Sequence, residues 1–457
     1  MADSRLAPKT ITVLILGQTG RGKSTFINSA ANYLKYSNLD EALRNQPVCV
    51  IPTRFLHNIR NPGPNEESEI VIEMPGMNAN DRQNEFGQPS LSATKQPRVY
   101  SFVQGDVHIN LIDVPGIGDT GGVLVDAQNK SRIMEKIKKF DKIHAVWIFL
   151  MAKETRATTE FLFCLRDIFT VVPKTAIGNV AFVITNTRSE NYTPGETTST
   201  LNTFIDTLNK EYGLQIDKST SKYSVDSEAF RYLVGSCTNQ KFKENVAKHV
   251  AQYRESWEVS RAEFFRLLKA AFAATAQPTR HYKFHTHVFY NIQNILKCMA
   301  TKPKTDAEIE NDVKLYVENL KVCKSEIMNC VYTAYTYLYQ NSIFVFNESF
   351  EEKVKIEIRV QEANKKVDRN VVENLQKVLE DHKRTLRTLE PIRQRIGSQN
   401  IKQVTEDDFE QALEKVFRLP FYGPALKKVY ESERESAELS TIDFTPLPVN
   451  HLLANVS

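Results

Sequence analysis

The first 240 residues of the chain alternate between short apolar runs and amphipathic stretches. Apolar runs bounded by turn residues predict buried strands, and apolar residues at helical spacing predict helices. The strands are predicted at 13–16, 98–103, 107–113, 145–150, 180–185 and 232–234. The helices are predicted at 26–36, 127–140, 158–169 and 198–212. Strands that alternate with helices indicate an α/β fold, a doubly wound and mostly parallel sheet with helices on both faces.

A long segment, residues 37–91, separates the first helix from the second strand of this sheet. It contains two strand-like pieces, Val48–Ile51 and Ile70–Glu73, with a turn-rich stretch at 61–65 between them. A connection of this length without its own structure is unusual in a compact domain. We therefore expect an insertion that folds as a small hairpin.

Charged, amphipathic sequence dominates the chain from about residue 244. Between 348 and 399 the apolar positions recur mainly at helical spacings, and few Gly or Pro residues interrupt them. This pattern predicts one or two long amphipathic helices that form a helical hairpin or a short coiled coil, or that bind a helical protein partner. The predicted organisation is an α/β domain at 1–242, an all-α helical domain at 243–432 and a flexible tail at 433–457.

Composition narrows the class of protein without changing this picture. The chain has 457 residues, 25% of them charged, and a formal net charge of +4, so nothing in it requires a nucleic-acid partner. Its six cysteines are scattered without paired spacings, which favours a reducing compartment. We find no secretory signal pattern and no apolar run near the roughly 20 residues of a membrane span. We expect a cytoplasmic protein without a transmembrane segment.

The most specific pattern is G-x-x-x-x-G-K-[ST], which lies directly after the first strand and directly before the first helix. It is the pattern of a P-loop, in which backbone N–H groups and a helix N-terminus hold the phosphates of a nucleoside triphosphate. Lys23 would reach the β- and γ-phosphates, and the Ser24 hydroxyl would bind Mg²⁺. The predicted phosphate-binding residues are Gly17, Gln18, Thr19, Gly20, Arg21, Gly22, Lys23, Ser24 and Thr25.

A second motif on the phosphate side is the D-V-P-G sequence from Asp113 to Gly116. An acid at the carboxyl end of a strand beside the P-loop strand is where a carboxylate of the Mg²⁺ shell is placed. Gly116 would offer its backbone N–H to the γ-phosphate as part of a switch segment. We therefore predict that Ser24 and Asp113 bind Mg²⁺ together.

Base recognition is predicted at the carboxyl ends of the later strands, because ligands of parallel sheets bind there. The predicted residues are Asn186, Thr187, Arg188, Glu190 and, after the last predicted strand, Ser236. A guanine site of the form N-K-x-D uses a carboxylate to accept hydrogen bonds from the base. Here Thr187 replaces the lysine and Ser189 replaces the aspartate, so that Glu190 is the nearest acid. Guanine specificity is therefore inferred rather than read directly from the motif.

The set of motifs resembles the septin-like branch of P-loop GTPases: G-Q-T-G-R-G-K-S-T, S-A-T-K at Ser92–Lys95, and D-V-P-G-I-G-D-T at Asp113–Thr120. This branch includes septins, chloroplast outer-envelope import GTPases and immunity-associated (AIG-type) GTPases, and the motifs look most like the last. The resemblance covers about residues 10–240. It implies a G domain that binds GTP or GDP with Mg²⁺, hydrolyses GTP slowly and pairs as a homodimer across the nucleotide. It also implies that Thr94 binds Mg²⁺ and the γ-phosphate.

The catalytic group of such a site is less clear from the sequence. Ile117 follows Gly116, where Ras-like GTPases carry a glutamine that orients the attacking water. An isoleucine cannot do this, so hydrolysis would be slow or would use another group. In the resembled family a basic residue that reaches across the dimer can act as an arginine finger. The candidate is Arg156, with Lys153 as the alternative and Arg21 as a third option.

Three functions remain open at the level of sequence. The leading one is a slow GTPase switch that is activated by G-domain dimerisation and transmits its nucleotide state to the helical domain. The second is a structural scaffold that binds nucleotide with little turnover. The third is an ATP-binding P-loop protein, because the base-reading motif lacks its usual acid.

Overall fold

The structure, a computed structural model, describes residues 9–60, 67–77, 96–116, 123–137, 139–153, 159–300, 313–343, 345–346, 349–363, 368–398, 401–419, 422–435 and 446–456. The chain divides into two units. The first unit combines three pieces of the chain, Met1–Cys164, Ala176–Thr279 and Ile442–Ser457. The second unit consists of Leu165–Thr175 and Arg280–Thr441.

Eleven strands occur in the described residues. They are β1 Lys9–Gly17, β2 Thr53–Arg60, β3 Glu67–Met74, β4 Arg98–Gln104, β5 Val107–Asp113, β6 Lys142–Ile143, β7 Ala145–Met151, β8 Val180–Thr185, β9 Lys222–Ser224, β10 Gln277–Pro278 and β11 Leu447–Pro448. The α-helices of the same residues are α1 Lys23–Lys35, α2 Leu39–Arg44, α3 Val123–Ile137, α4 Thr159–Phe169, α5 Thr197–Tyr212, α6 Glu228–Thr238, α7 Gln240–Val246, α8 Val250–Ala273, α9 Thr279–Ala300, α10 Val313–Asn341, α11 Phe350–Ala363, α12 Arg369–Ser398, α13 Glu406–Phe417, α14 Gly423–Glu435 and α15 Leu453–Val456.

The central sheet of the first unit has seven strands in the order β11-β4-β5-β1-β7-β8-β9. Only β4 and β5 run antiparallel to each other, and the other neighbours in this sheet are parallel. The sequence explains the middle of the sheet, because β7 is a continuous apolar run that is buried along almost its whole length. The predicted fold class, a doubly wound and mostly parallel sheet followed by a helical region, is confirmed.

The first unit extends beyond the predicted domain boundary at residue 242. α8 belongs to it, because the ring of Phe264 lies 5.9 Å from that of Phe26 on α1. About two turns earlier, Trp257 lies edge-on to Tyr33 with 5.0 Å between ring centroids. The prediction places α8 in the helical domain because the amphipathic pattern of α8 does not differ from that of the later helices. The structure shows that this helix packs against α1 of the first unit.

The prediction of the last strand of the sheet, at residues 232–234, is wrong. Residues 232–234 lie in α6, and the strand is the short β9 at 222–224. The apolar run at 232–234 continues a helical pattern, because Ala229, Phe230, Leu233 and Val234 are all fully buried. Residues 232–234 taken alone therefore resemble a strand, although the spacing of the apolar residues from 229 to 234 is that of a helix.

The insertion does fold around a hairpin, but its first strand is β2 at 53–60 rather than 48–51. β2 and β3 pair antiparallel in a separate two-stranded sheet. Residues 48–51 are irregular and buried, and their backbone groups bond to side chains of α1. The Asn32 amide donates to Val48 O at 2.7 Å and accepts from Val48 N at 3.0 Å. The Asn28 amide donates to Ile51 O at 2.8 Å and accepts from the N–H groups of Val50 and Ile51 at 2.9 Å each.

The second unit is helical, as predicted. Residues of five helices meet in one buried cluster, which includes Val288, Ile327, Leu389, Phe409 and Leu426. The long amphipathic stretch forms two helices that contact each other, α11 and α12. Glu351 and Lys383 form an ion pair of 3.6 Å between them. In the described part of the chain no helix is long and apolar enough to span a membrane.

The C-terminal residues differ from the predicted flexible tail. Leu447 and Pro448 form β11, which pairs in parallel with Phe102 and Val103 of β4. Three apolar side chains of this segment are buried in the core of the first unit, so the segment is held in place by packing that its own composition does not reveal. Residues 436–445, also within the predicted tail, lie outside the described part.

Candidate functional site

The predicted P-loop connects the carboxyl end of β1 to the N-terminus of α1. Gly17, Gly20 and Gly22 have φ angles of +147°, +78° and +81°, which side chains strongly disfavour. At Gly17 a Cβ would also lie 2.8 Å from the carbonyl oxygen of Phe149 on β7. The three glycines therefore let the backbone curl in front of the helix, where unpaired N–H groups and the helix dipole favour an anion.

Lys23 and Ser24, the first two residues of α1, hold the positions expected of phosphate and metal ligands. The Lys23 side chain is buried, and its ammonium donates to Gly17 O and Gln18 O at 3.1 Å each, so it lies inside the loop. The Ser24 hydroxyl donates to Asp113 Oδ2 at 3.2 Å. Asp113 is fully buried at the end of β5. Two of the three predicted Mg²⁺ ligands thus meet, and both offer oxygen, which Mg²⁺ prefers. The third, Thr94, lies outside the described residues.

Gly116 of the D-V-P-G motif lies directly against the P-loop. A Cβ at this position would fall 2.1 Å from Thr19 Oγ1 and 2.4 Å from Thr19 N. Thr19 Oγ1 is itself buried and makes no hydrogen bond with the described residues. The predicted switch segment therefore begins in contact with the phosphate loop, and only glycine fits there. Ile117, the next residue, is not among the described residues.

The tip of the P-loop is tied to the neighbouring strands. Arg21 folds back over the loop, with Nε 3.1 Å from Gln18 Oε1 and a terminal nitrogen 2.9 Å from Met151 Sδ. The buried Thr185 hydroxyl lies 3.1 Å from both Arg21 O and Leu150 O. The ends of β7 and β8 therefore fix the loop that would hold the phosphates. In this arrangement Arg21 contacts its own chain, and its use as a finger toward a partner stays a prediction.

The predicted base-reading residues follow β8. Asn186 is exposed and has a φ of +57°, a conformation that marks a sharp turn. Thr187 is fully buried, and its hydroxyl donates to Val225 O at 3.0 Å, so its side chain braces the loop instead of facing a ligand. Arg188 N donates to Asp226 Oδ2 at 3.0 Å. Glu190, half-buried, stays the nearest acid along this loop.

Ser236 does not lie at the end of a strand, because it belongs to α6 and is buried there. Two residues after the end of β9 lies Asp226, which the sequence predictions do not include. Its two carboxylate oxygens accept from Arg188 N and Glu228 N at 3.0 Å each, and its own N–H donates to Ser260 Oγ at 2.8 Å. The signal for it is an acid that directly follows Tyr223-Ser224-Val225, a short stretch in which apolar and polar residues alternate.

Charge is concentrated at this corner of the first unit. Arg188 pairs with Glu228 at 3.0 Å. Burial, and then the neighbouring Asp226 carboxylate, raise the pKa of Glu228 to about 7, although Arg188 opposes the shift. The corner next to the predicted base site therefore carries an acid that titrates near neutral pH.

Of the two other cations predicted to act in catalysis, one lies in the described part of the chain. Lys153 is exposed in the turn that follows β7, and Arg156 lies outside the described residues. Their roles stay predictions.

Comparisons with known proteins return only distant structures, and no family model and no curated protein matches the chain. The chain is similar to Toc33 from Arabidopsis thaliana in complex with Mg²⁺ and GMPPNP, at 17% identity over 59% of this chain and 87% of that chain, with a TM-score of 0.31. It is similar to a dimerization-deficient mutant of Toc33, at 16% identity over 48% and 71% of the two chains, with a TM-score of 0.28. It is also similar to the G domain of the T. maritima FeoB iron transporter, at 14% identity over 49% and 96%, with a TM-score of 0.22. Because these scores are low, the fold assignment rests on the sheet order and loops of this chain itself.

Proposed function

We propose that the first unit binds a guanine nucleotide with Mg²⁺ and hydrolyses GTP slowly. One observation carries this proposal: a left-handed glycine loop surrounds the Lys23 ammonium, with the Ser24 hydroxyl 3.2 Å from the Asp113 carboxylate. These are the groups that hold a triphosphate and its metal ion in P-loop proteins. In the proposed complex the ammonium exchanges its bonds to Gly17 O and Gln18 O for bonds to phosphate oxygens.

Each group has a separate role in the proposed reaction. The backbone N–H groups of the loop and the N-terminus of α1 neutralise the phosphate charge. Ser24 and Asp113, with Thr94, hold the Mg²⁺ shell, and Gly116 N–H meets the γ-phosphate. A basic residue, Arg156 or Lys153, stabilises the developing negative charge in a homodimer formed through the G domains. Such a group is needed because Ile117 cannot orient the attacking water as a glutamine would. This arrangement corresponds to the septin-like, immunity-associated type that the motifs resemble.

Phosphate binding is tested by Lys23→Ala in the full-length protein, with fluorescent GTP as the probe. We expect affinity to fall roughly 100-fold, because charge-assisted contacts to two phosphates are lost. Lys35→Ala is the matched control, because Lys35 lies in the last turn of the same helix over the Tyr36 ring. Tight binding by the Lys23→Ala protein would refute the assignment.

Specificity and assembly separate the proposed function from its alternatives. We expect guanine nucleotide to co-purify with the protein and cold GTP, but not ATP, to displace it. A GTPase switch should dimerise with a non-hydrolysable GTP analogue and not with GDP, whereas a scaffold should assemble with either. Turnover per molecule should rise with protein concentration and fall in an Arg156→Ala protein if dimerisation supplies the catalytic charge.

We propose a cytoplasmic location and transmission of the nucleotide state to the helical unit or to a helical partner.

A further inference from the structure

The outer edge of the central sheet is formed by a segment from the far end of the chain. This C-terminal segment, residues 446–456, pairs with β4 through Leu447 and Pro448 and continues with a bond from Val449 N to Val103 O at 2.9 Å. Its partner residues in β4 precede it by almost 350 positions, as for Gln104 and Asn450, which are 346 apart. The edge of β4 is therefore completed by a bound segment and not by a neighbouring hairpin.

The groove that receives this segment recognises its backbone. The Gln104 amide donates to Asn450 O at 2.8 Å and accepts from Leu452 N at 2.7 Å. At the C-terminus of α1, Leu34 O accepts from the N–H groups of Asn450 and His451 at 3.1 and 2.9 Å. A carbonyl in the last turn of a helix has no partner within its own helix, so the segment satisfies it. These contacts bind main-chain groups of the segment and require no particular polar side chain on it.

Apolar side chains supply the rest of the contact. Leu447, Val449 and Leu452 are buried in the core cluster of the first unit, with Leu452 completely inaccessible. They stand at the first, third and sixth positions of a short motif. Pro446 and Pro448 flank Leu447 and remove the N–H groups at their positions, so the strand has fewer donors to offer a further strand. Their fixed φ also favours an extended conformation before docking.

We propose that this groove is a peptide-binding site for a Leu-x-Val-x-x-Leu segment whose first residues add to β4 as a strand and whose residues 450–452 bend toward the end of α1, which the chain fills with its own C-terminal segment and which the same segment of a second copy can fill. The segment binds as a strand-addition ligand, through main-chain hydrogen bonds and alternate apolar side chains. Residues 436–445 connect it to α14, so the segment is attached to the preceding helix by one short stretch of chain. Every copy carries both parts, and an exchange between copies therefore needs no new surface.

The first experiment removes the ligand from its own groove in the full-length protein. Leu452→Asp places a charge in a fully buried position, so the segment should leave the groove. The probe is a labelled synthetic peptide of residues 444–457, followed by fluorescence anisotropy. We expect it to bind the Leu452→Asp protein and to bind at least tenfold more weakly when the peptide itself carries Leu452→Asp. The control is Val429→Asp, a change at an exposed valine of α14, which should leave the groove occupied and the probe unbound.

Equal binding of the two peptides, or equal binding to the two proteins, would overturn the proposal. A second measurement needs no variant and covers the case in which Leu452→Asp does not fold. Native-state hydrogen exchange of the wild-type protein should show Val449, Asn450, His451 and Leu452 opening locally, at rates insensitive to low denaturant, while β7 opens only with global unfolding. If these four amides exchange only with β7, the segment is a permanent part of the fold and the proposal fails.

Discussion

Replacing Asn28 by Ala should destabilise the first unit strongly, because one buried amide serves several backbone groups of the insertion. Asn28 is 1% exposed, and its side chain bonds to the N–H groups of Val50 and Ile51 and to Ile51 O. Val50 and Ile51 are themselves buried, so water cannot replace the lost partner. Each unsatisfied buried group costs about 1–3 kcal/mol, and three such groups give a loss of roughly 3–9 kcal/mol. That is a large share of the roughly 5–15 kcal/mol that holds a domain folded.

The assay is thermal and urea unfolding of the full-length proteins, followed by circular dichroism. For a unit of this size, the expected loss corresponds to a fall in melting temperature of roughly 10 °C. Asn45→Ala is the matched control. Asn45 is exposed, and its amide makes a single bond of 2.8 Å to Glu41 O at the end of α2. The control should lose less than about 0.5 kcal/mol.

A melting temperature within about 2 °C of wild type for Asn28→Ala would refute this reasoning. It would mean that residues 48–51 find other partners without cost. The side chain of Asn28 would then contribute little to stability, and the position of residues 48–51 before β2 would not depend on α1.

Three further outcomes are expected. Gly116→Ala should abolish nucleotide binding while leaving most of the fold intact, since the added Cβ meets backbone atoms of Thr19 at 2.4 and 2.7 Å; retained affinity by calorimetry would contradict the contact. Asp113→Asn should weaken Mg²⁺-dependent nucleotide binding at least tenfold and leave the Mg²⁺-free affinity nearly unchanged, as titrations with and without EDTA would show. Glu228 has a folded pKa of about 7 against 4.5 for the free group, so the stability it contributes is fully present below pH 4.5 and is lost as the pH rises toward 7. Glu228→Gln should therefore raise the melting temperature relative to wild type more at pH 8 than at pH 5, and an equal difference at both would contradict the shift.

The sequence alone identified the parts of the fold that depend on local signals. The P-loop and the D-V-P-G motif carry their conformation in glycines, and the structure places Ser24 beside Asp113 as the motifs require. The doubly wound sheet follows from apolar runs of ordinary strand length. These features need no information about distant partners, because each lies within a single strand, loop and helix.

What the sequence did not reveal depends on contacts between distant parts of the chain. Residues 48–51 have the composition of a strand, but their hydrogen-bond partners are two asparagines of α1. β9 is only three residues long, too short for a pattern, so Asp226 after it was not recognised. The segment 446–456 shows no helical or strand period because it is held partly through its backbone. In each case the missing information is which groups meet in space, and the spacing along the chain does not contain it.

The position of β11 has a consequence for how the protein is made. A ribosome delivers β4 and the end of α1 early, and the strand that covers them only after the whole helical unit has been translated. Throughout that interval the growing chain carries an open strand edge and an unsatisfied helix carbonyl, the kind of surface that associates with other nascent chains. Closing a contact across such a stretch is entropically slow. The newborn protein would therefore depend on chaperones for the time it takes to synthesise its second half.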